Sequence, residues 1–406
     1  MKFFFIFLFI SVSILCSSQN NNGLKIKKGS WISELQLNSV DVLPFDMIVT
    51  KNQSIIVKNG KEQIELENAV FKNDSFYVKF PYFDSELVFV RLSKKKIKGY
   101  WVNYTKGSGY KIPFESTKRN DYRFSQANTK TAPTTVDGKW RVEFEPNTNS
   151  SYPAVGLFQQ EDKTVSGTFL TETGDYRFLA GNAVNDSLFL SCFDGSHAFL
   201  FKAALLSDTL FGTFNSGNHW KSEWRGVRDE AFELKSPEEL TYLKEGQEIA
   251  FSFNDLEGNT YSYPNEASKN KVTIIQIMGT WCPNCLDETM YYKSLYEKYH
   301  DRGLEIISIC YEAGKTEEEQ LQSIKNYKEQ LGVDFRFLLG GTASKNKAAN
   351  DFNMLNDIIS FPTSIFIGRD GEVKRVHTGF NGPGTGVYYD EYVKKTNALI
   401  EFLMTQ

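Results

Sequence analysis

The feature that most constrains the fold is a cysteine pair, Cys282 and Cys285, placed between two segments of different character. Before the pair, Val272–Met278 is a short apolar run rich in β-branched residues, which predicts a buried strand. After it, residues 286–300 contain no proline or glycine and are rich in helix-compatible types, which predicts a helix. A cysteine pair at a strand-to-helix junction indicates an α/β fold that carries thiol–disulfide chemistry.

The position of each cysteine suggests a separate role. Cys282 falls near the start of the predicted helix, where unpaired N–H groups and the helix dipole favour a thiolate. Cys285 falls one turn inside, within reach of a mixed disulfide formed by the first sulfur. A structural zinc site needs about four ligands, and the sequence holds no second cysteine pair and no histidines at ligand spacing. We therefore favour a redox role over a purely structural disulfide, and predict neither a metal nor another cofactor.

The N-terminal segment, residues 1–18, has the pattern of a signal peptide. Lys2 supplies a positive charge, residues 3–15 are apolar, and small residues follow up to Ser18. The apolar run is too short for an ordinary spanning helix. This pattern predicts cleavage near Ser18 and an exported, periplasmic mature chain. A lipoprotein anchored through Cys16 is the alternative, although Leu15 directly before that cysteine fits such processing poorly.

The other cysteines suggest no disulfide scaffold. Without Cys16, only Cys192 and Cys310 remain besides the pair, too few for a disulfide-dense secreted fold. Both lie in segments expected to form strands, so we interpret them as inert core thiols, with a bridge between them as the open alternative. The net charge of −4 gives no indication of a nucleic-acid partner.

Residues 25–228 show short alternating segments separated by turn residues, and the pattern is duplicated. Gly29 and Trp31 match Gly138 and Trp140, and later pieces match in the same order. Each copy has room for six to eight strands, which predicts two tandem meander barrels or sandwiches. The opening Gly-x-Trp followed by antiparallel strands resembles the small barrels of the lipocalin or avidin type. The tryptophans are expected either to line a ligand cup or to pack the core. The domains that follow are the signal peptide at 1–18, the copies at 25–119 and 137–228, a connector at 229–247, and the α/β domain at 248–406.

The α/β domain shows alternating strand and helix patterns that end in a hairpin. The predicted elements are a hairpin at 251–262, strands at 272–278, 304–311, 335–339 and 372–378, a run at 359–368 whose strand follows Pro362-Thr363, and helices at 286–300, 316–331, 345–352 and 390–404.

Residues 248–406 carry the Cys-Pro-Asn-Cys motif, the acidic Glu288 after it, and Pro362 before a strand. Because of these features, this part of the chain resembles the thioredoxin superfamily. The likeness is to exported TlpA/ResA-like thiol–disulfide oxidoreductases with an AhpC/TSA-type thioredoxin-like domain. The β half resembles an extra domain fused to such redox domains in Bacteroidetes-type proteins. Two positions depart from the family pattern: Met290 stands where many relatives have a helix-kinking proline, and Phe361 where thioredoxins carry Thr or Val.

The resemblance implies a set of site residues. Cys282 would attack a substrate disulfide, Cys285 would resolve the mixed disulfide, Glu288 would tune proton transfer, and Pro362 would be a cis-proline facing the cysteines. The alternative for Glu288 is an ordinary solvated helix carboxylate. The residues expected to form an apolar face that docks substrate protein are Trp281, Phe361, Thr363, Gly379 and Phe380.

The implied partners are disulfide-bearing exported proteins and an upstream electron donor, most simply a membrane-bound one. Two rival functions stay open. One is a thiol peroxidase, although Ile275 and Gly279 depart from the Pro-x-x-x-Thr-x-x-Cys pattern of peroxiredoxins. The other is a binding protein whose β half takes the ligand and whose redox domain is accessory.

Overall fold

The structure, a computed structural model, describes residues 24–107, 109–130 and 132–406. The predicted signal segment, residues 1–18, lies outside the described residues. The described chain forms three sheets, two of nine strands and one of seven. Within these residues, no helix combines the length and the apolar composition needed to cross a membrane.

The first sheet is an open half-barrel. Its strands are β1 (Gly29–Gln36), β2 (Val42–Val49), β3 (Ile55–Asn59), β4 (Glu62–Glu65), β5 (Val70–Lys72), β6 (Ser75–Lys79), β7 (Ser85–Ser93), β8 (Lys96–Asn103) and β9 (Lys111–Thr117). They pair in the order β4-β3-β2-β1-β9-β8-β7-β6-β5. In the part of the chain that the structure describes, the end strands β4 and β5 are not paired with each other.

The second sheet closes into a barrel. Its strands are β10 (Gly138–Phe144), β11 (Tyr152–Glu161), β12 (Thr164–Thr171), β13 (Gly174–Asp175), β14 (Leu179–Val184), β15 (Ser187–Phe193), β16 (Ala198–Leu206), β17 (Thr209–Ser216) and β18 (Trp220–Arg228). They run in the order β11-β10-β18-β17-β16-β15-β14-β12-β13, and β11 also pairs with β12. This last pairing closes the ring and leaves the two-residue β13 at its rim.

The third sheet carries the helices, as predicted. Its strands are β19 (Phe251–Asp255), β20 (Thr260–Tyr263), β21 (Val272–Met278), β22 (Leu304–Glu312), β23 (Arg336–Thr342), β24 (Thr363–Ile367) and β25 (Val373–Thr378). The helices are α1 (Pro237–Leu240), α2 (Pro283–Tyr299), α3 (Glu317–Leu331), α4 (Lys345–Asp351) and α5 (Val387–Leu403). Short 3-10 turns lie at Tyr104–Lys106, Ser125–Asn128, Glu266–Ser268, His300–Arg302 and Pro383–Thr385. The strand order is β20-β19-β23-β22-β21-β24-β25, which places β21 well inside the sheet.

Local features recur at equivalent places in the two β copies. The indole N–H groups of Trp31 and Trp140 each donate to the carbonyl oxygen four residues earlier, both at 2.8 Å. Asn73 and Asn185 each open a turn with a left-handed φ, 49° and 54°. These matches are consistent with the predicted duplication.

The all-β prediction for this half is confirmed, but each copy has nine strands where six to eight were predicted, and the two copies differ in closure. The open side of the half-barrel packs on the outer face of β15 and β16. Phe193, Ala198 and Leu200 of the second copy lie in the hydrophobic core of the first. The Phe193 ring lies 4.5 Å from the Phe45 ring between centroids. Because the second barrel supplies these side chains, the first copy has a filled core without closing on itself.

The tryptophans serve mainly as core residues. Four are at most 1 % exposed: Trp31, Trp101, Trp140 and Trp224. The interior of the closed barrel is filled by aromatic side chains, with Phe144 and Phe169 both in contact with Trp224. Trp220 is 51 % exposed. The core-packing interpretation is therefore confirmed for four of the five tryptophans of residues 25–228, and a tryptophan-lined ligand cup inside the barrel is wrong.

Candidate active site

The cysteine motif lies at the end of a fully buried strand. β21 pairs with β22 in parallel and with β24 antiparallel, and all seven of its residues are buried. The chain leaves the strand at Gly279, and α2 begins at Pro283 with Cys282 as its N-cap. Proline suits this first helical position because an N–H there has no intrahelical acceptor. Strand and helix together fix Cys282 at the helix N-terminus.

The sulfur of Cys282 lies between a donor and an acceptor. The backbone N–H of Cys285 donates to Cys282 Sγ at 3.3 Å, and the Cys282 thiol donates to Phe361 O at 3.6 Å. The peptide bond from Phe361 to Pro362 is cis. The N–H of Gly379 donates to Pro362 O at 2.8 Å, so the proline loop is tied to the segment after β25. The proline loop therefore faces the first cysteine.

The two thiols differ in exposure. Cys282 is 8 % exposed, Cys285 is fully buried, and both are free thiols. Burial, together with the neighbouring Cys282, raises the pKa of Cys285 well above its usual value. Cys282 is thus placed to react first, and Cys285 is placed to resolve once a base takes its proton.

Glu288 is a buried acid one turn after Cys285 in α2. Its carboxylate accepts hydrogen bonds from Gln276 Nε2 at 2.9 Å and from the hydroxyls of Ser364 and Tyr292 at 3.0 and 3.1 Å. Burial outweighs these bonds and raises the pKa of Glu288 to about 7. A solvated helix carboxylate is therefore excluded, and the group can exchange a proton near neutral pH.

Trp281 and Phe361 are two of the five predicted docking residues, and both keep partial exposure. The indole N–H of Trp281 donates to Tyr311 O at 2.9 Å. The Phe361 ring stacks on the Tyr311 ring with centroids 5.6 Å apart. Tyr311 thus holds both aromatic side chains in place, one before Cys282 and one before the cis-proline.

The other three predicted docking residues, Thr363, Gly379 and Phe380, are buried, which corrects the expectation of an open apolar face. Thr363 lies inside the sheet and donates its hydroxyl to Ser360 O at 2.9 Å. Phe380 is 1 % exposed because its ring packs 5.1 Å from the Tyr392 ring between centroids. Gly379 is covered by the loop between β12 and β13 of the second barrel.

Sequence reasoning missed Glu312, the last residue of β22. Its carboxylate accepts hydrogen bonds from Thr280 N at 2.9 Å and from Thr280 Oγ1 at 2.6 Å. Burial raises the pKa of Glu312 to about 7. Parallel pairing of the two predicted strands could have indicated this contact. It places Met278 opposite Cys310, and Thr280 and Glu312 each follow two residues later.

Sequence reasoning also missed Arg177 and its ion pair with Asp287, which joins the second barrel to helix α2. The two residues are 110 positions apart, and no motif in the sequence links them. Within the described ranges, no group of three or more His, Cys, Asp or Glu side chains is arranged to hold a metal ion.

Known proteins resemble the redox part of the chain. A family model described as Redoxin matches residues 244–391. The thiol-disulfide oxidoreductase ResA of Bacillus thuringiensis subsp. konkukian is 31 % identical over 147 residues, which cover 36 % of this chain and 73 % of that protein. ResA of Halalkalibacterium halodurans is 28 % identical over 133 residues, 33 % of this chain and 67 % of that protein. Among solved structures, StoA from Bacillus subtilis is 21 % identical and covers 36 % of this chain and 96 % of its own, with a TM-score of 0.26.

The alignment with the first of these relatives spans more than two thirds of that protein, and the Redoxin match includes both cysteines of the motif. The seven-stranded sheet with its helices is a thioredoxin-like domain, and the two β copies precede it in the chain. On this similarity, the chain belongs to the family of thiol–disulfide oxidoreductases that includes ResA.

Proposed function

We propose that the chain reduces disulfide bonds of exported partner proteins through Cys282 and Cys285. The observation that carries the proposal is the hydrogen bond from Cys285 N–H to Cys282 Sγ at the start of α2. An N–H donated to sulfur stabilises the negative charge that the sulfur carries when it attacks. In the first step, Cys282 Sγ bonds to one sulfur of the substrate disulfide, the substrate S–S bond breaks, and the departing thiolate takes a proton from solvent.

In the second step, Cys285 resolves the mixed disulfide. Its proton passes to the Glu288 carboxylate, directly or through water, and Cys285 Sγ bonds to Cys282 Sγ as the second substrate thiolate leaves. The second substrate thiolate takes the proton that Glu288 holds, and the proton that Cys282 released to solvent on becoming a thiolate balances the one that the first substrate thiolate took up. Two electrons have then passed from the cysteine pair to the substrate disulfide. The protein is left with a Cys282–Cys285 disulfide, which an upstream dithiol donor reduces again.

The reduction potential of the pair tests this proposal. It is measured by titration with glutathione or dithiothreitol with Trp281 fluorescence as the readout, and Trp281→Phe as the control for the signal. A value near that of thioredoxin, about −270 mV, supports a reductase, whereas a value near about −120 mV marks a disulfide donor. A pair without a reversible transition contradicts any redox role. In Cys285→Ser, the mixed disulfide with substrate is expected to accumulate because no resolving thiol remains.

We further propose that the chain is exported through residues 1–18. The positive charge of Lys2, the apolar stretch and the small residues before Gln19 support this. Mass spectrometry of the protein from the cell envelope is expected to find a chain that begins at Gln19. A chain that begins at a lipidated Cys16 indicates the anchored alternative, and an unprocessed N-terminus contradicts export.

A further inference from the structure

The face around the cysteines is covered by the loop of the second barrel that connects β12 to β14. The hydroxyl of Ser360, next to the proline loop, donates to Thr173 O at 2.8 Å. The approach at Gly379 is so close that a Cβ there would lie 2.7 Å from the Thr173 carbonyl carbon. Asn284, inside the cysteine motif, donates to Asp175 O at 3.2 Å. The barrel therefore binds the elements that a substrate protein has to reach.

Two more contacts extend this cover on either side. The N–H of Gly382 donates to Asp175 Oδ2 at 2.6 Å. The hydroxyl of Ser196, at the turn between β15 and β16, donates to Trp281 O at 3.1 Å. The contacts thus run from the residue before Cys282 to the loop after β25. With the cover in place, Cys282 is 8 % exposed.

One buried arginine joins the three sheets. The Arg177 side chain is 5 % exposed and belongs to the second barrel. It donates to Glu62 Oε1 of the half-barrel at 2.7 Å and to Pro283 O, between the two cysteines, at 3.3 Å. It also donates to the carboxylate of Asp287 in α2. The Asp194 carboxylate lies 3.6 Å from Arg177 Nε.

We call the arrangement in which the barrel loop covers the cysteine motif the closed arrangement. The charges around Arg177 indicate that this arginine stabilises it. Its one positive charge faces the carboxylates of Glu62, Asp287 and Asp194, all of them at most 15 % exposed. In the described part of the chain, removal of the guanidinium leaves the buried carboxylates of Glu62 and Asp287 without a cation, and leaves Asp194 with only His197, whose Nδ1 lies 3.3 Å from Asp194 Oδ2. The repulsion is relieved when the barrel moves away from α2 and water reaches Asp287.

We propose that the second barrel is a cap on the cysteine pair, that Arg177 is its latch, and that the cap must move before a folded protein disulfide can react. This rests on the proposed function and adds a selection of substrate by size. A small disulfide can meet Cys282 Sγ in the closed arrangement. A protein disulfide needs the face that Thr173 and Asp175 occupy, so its rate depends on the fraction of molecules in which the cap is open.

The test compares two oxidants of the reduced full-length protein: insulin as a protein disulfide and bis(2-hydroxyethyl) disulfide as a small one. The quantity measured is the ratio of the two rates. Arg177→Ala is expected to raise the insulin-to-small ratio ~tenfold, because the open fraction rises by that factor. The matched control is Arg123→Ala, since Arg123 is 3 % exposed and joins the two β copies without contacting the redox domain. Its ratio is expected to stay within ~twofold of the wild type.

A second variant acts from the other side of the contact. Asp287→Ala removes the α2 partner of Arg177 and leaves the barrel unchanged, so it decides the question even if Arg177→Ala does not fold. The same rise in ratio is expected, with Glu297→Ala on the exposed side of α2 as control. A ratio that stays at the wild-type value while the small disulfide reacts overturns the cap alone. A reduced protein that reacts with neither disulfide overturns the proposed function and the cap with it.

Discussion

Glu288 and Glu312 are both buried carboxylic acids beside the cysteine motif, and their surroundings differ. Glu288 lies in α2 behind Cys285 and accepts hydrogen bonds from side chains of four separate elements, including Ser364 of β24 and Tyr392 of α5. Glu312 ends β22 and accepts from the N–H and the hydroxyl of one residue, Thr280. Burial raises the pKa of each acid to about 7.

The comparison shows that a similar pKa does not imply a similar role. The charge of Glu288 acts on the resolving thiol, since it contributes to the raised pKa of Cys285. Glu312 instead fixes the backbone of Thr280, two residues before Cys282, and so positions the loop that carries the motif. A strongly shifted pKa marks a functional region, but the neighbours of each acid decide what it does there. We expect Glu288 to move a proton and Glu312 to hold the loop.

The largest expected effect is one that both acids share. Each folded-state carboxyl keeps its proton up to a pKa of about 7, whereas the unfolded chain releases it at about 4.5. The stability that the bound proton provides is complete below pH 4.5 and is lost as the pH rises through 7, at a total of about 3 kcal/mol for each acid. The wild type loses this stability as the pH rises from 4.5 to 8, and a glutamine, which does not titrate, does not. The free energy of unfolding of Glu288→Gln minus that of the wild type should therefore increase by about 3 kcal/mol over this range, and the same is expected for Glu312→Gln.

Chemical denaturation at a series of pH values measures these differences. The double variant is the control, because two independent sites should give the sum of the single effects. A difference that stays flat across this range for either variant shows that the corresponding acid is not held protonated by burial.

The next effect should separate the two acids. Glu288→Gln removes the group that takes the proton of Cys285, so resolution of the mixed disulfide should slow ~100-fold at pH 7. Glu312→Gln keeps the hydrogen-bonding shape at Thr280 and should change that rate by less than ~threefold. Acid quench of the reaction with insulin, followed by separation of the mixed disulfide, gives the rate directly. Equal slowing in both variants contradicts the division of roles.

How much of this site could be predicted from the sequence depended on distance along the chain. Cys282, Cys285 and Glu288 lie within seven residues of one another, and a strand followed by a helix sets their spacing. Glu312 and Thr280 are 32 residues apart, and they come into contact only because β21 and β22 pair in parallel. Arg177 meets Asp287 across 110 residues, and an arginine in a turn of a β barrel carries no local signal of such a contact.

The β half follows the same rule. The turns and the tryptophan hydrogen bonds of the two copies are local, and the duplication could be recognised from them. Closure depends on which distant strands pair. β12 pairs with both β13 and β14 in the second copy, whereas the corresponding β3 pairs with β4 and, among the described residues, not with β5. The half-barrel is completed by Phe193 and Leu200 of the other copy, and alternation within one strand does not show which core its outer face will join.

The smallest expected effect is the loss of one hydroxyl donor at each acid. Ser364→Ala and Thr280→Val each remove one hydrogen bond to a carboxylate, which should cost about 1 kcal/mol of stability in either case.

The same two substitutions should also differ in their effect on the pH profile. Each loss of a hydrogen bond removes stabilisation of the charged form and raises the pKa of the acid concerned further. The midpoint of the pH profile for resolution should therefore move upward in Ser364→Ala, because Glu288 is the proton acceptor, and should stay in place in Thr280→Val. Rates of mixed-disulfide resolution between pH 5 and 9 measure both midpoints. A midpoint that moves in Thr280→Val and stays in Ser364→Ala would assign the proton transfer to Glu312 and exchange the roles of the two acids.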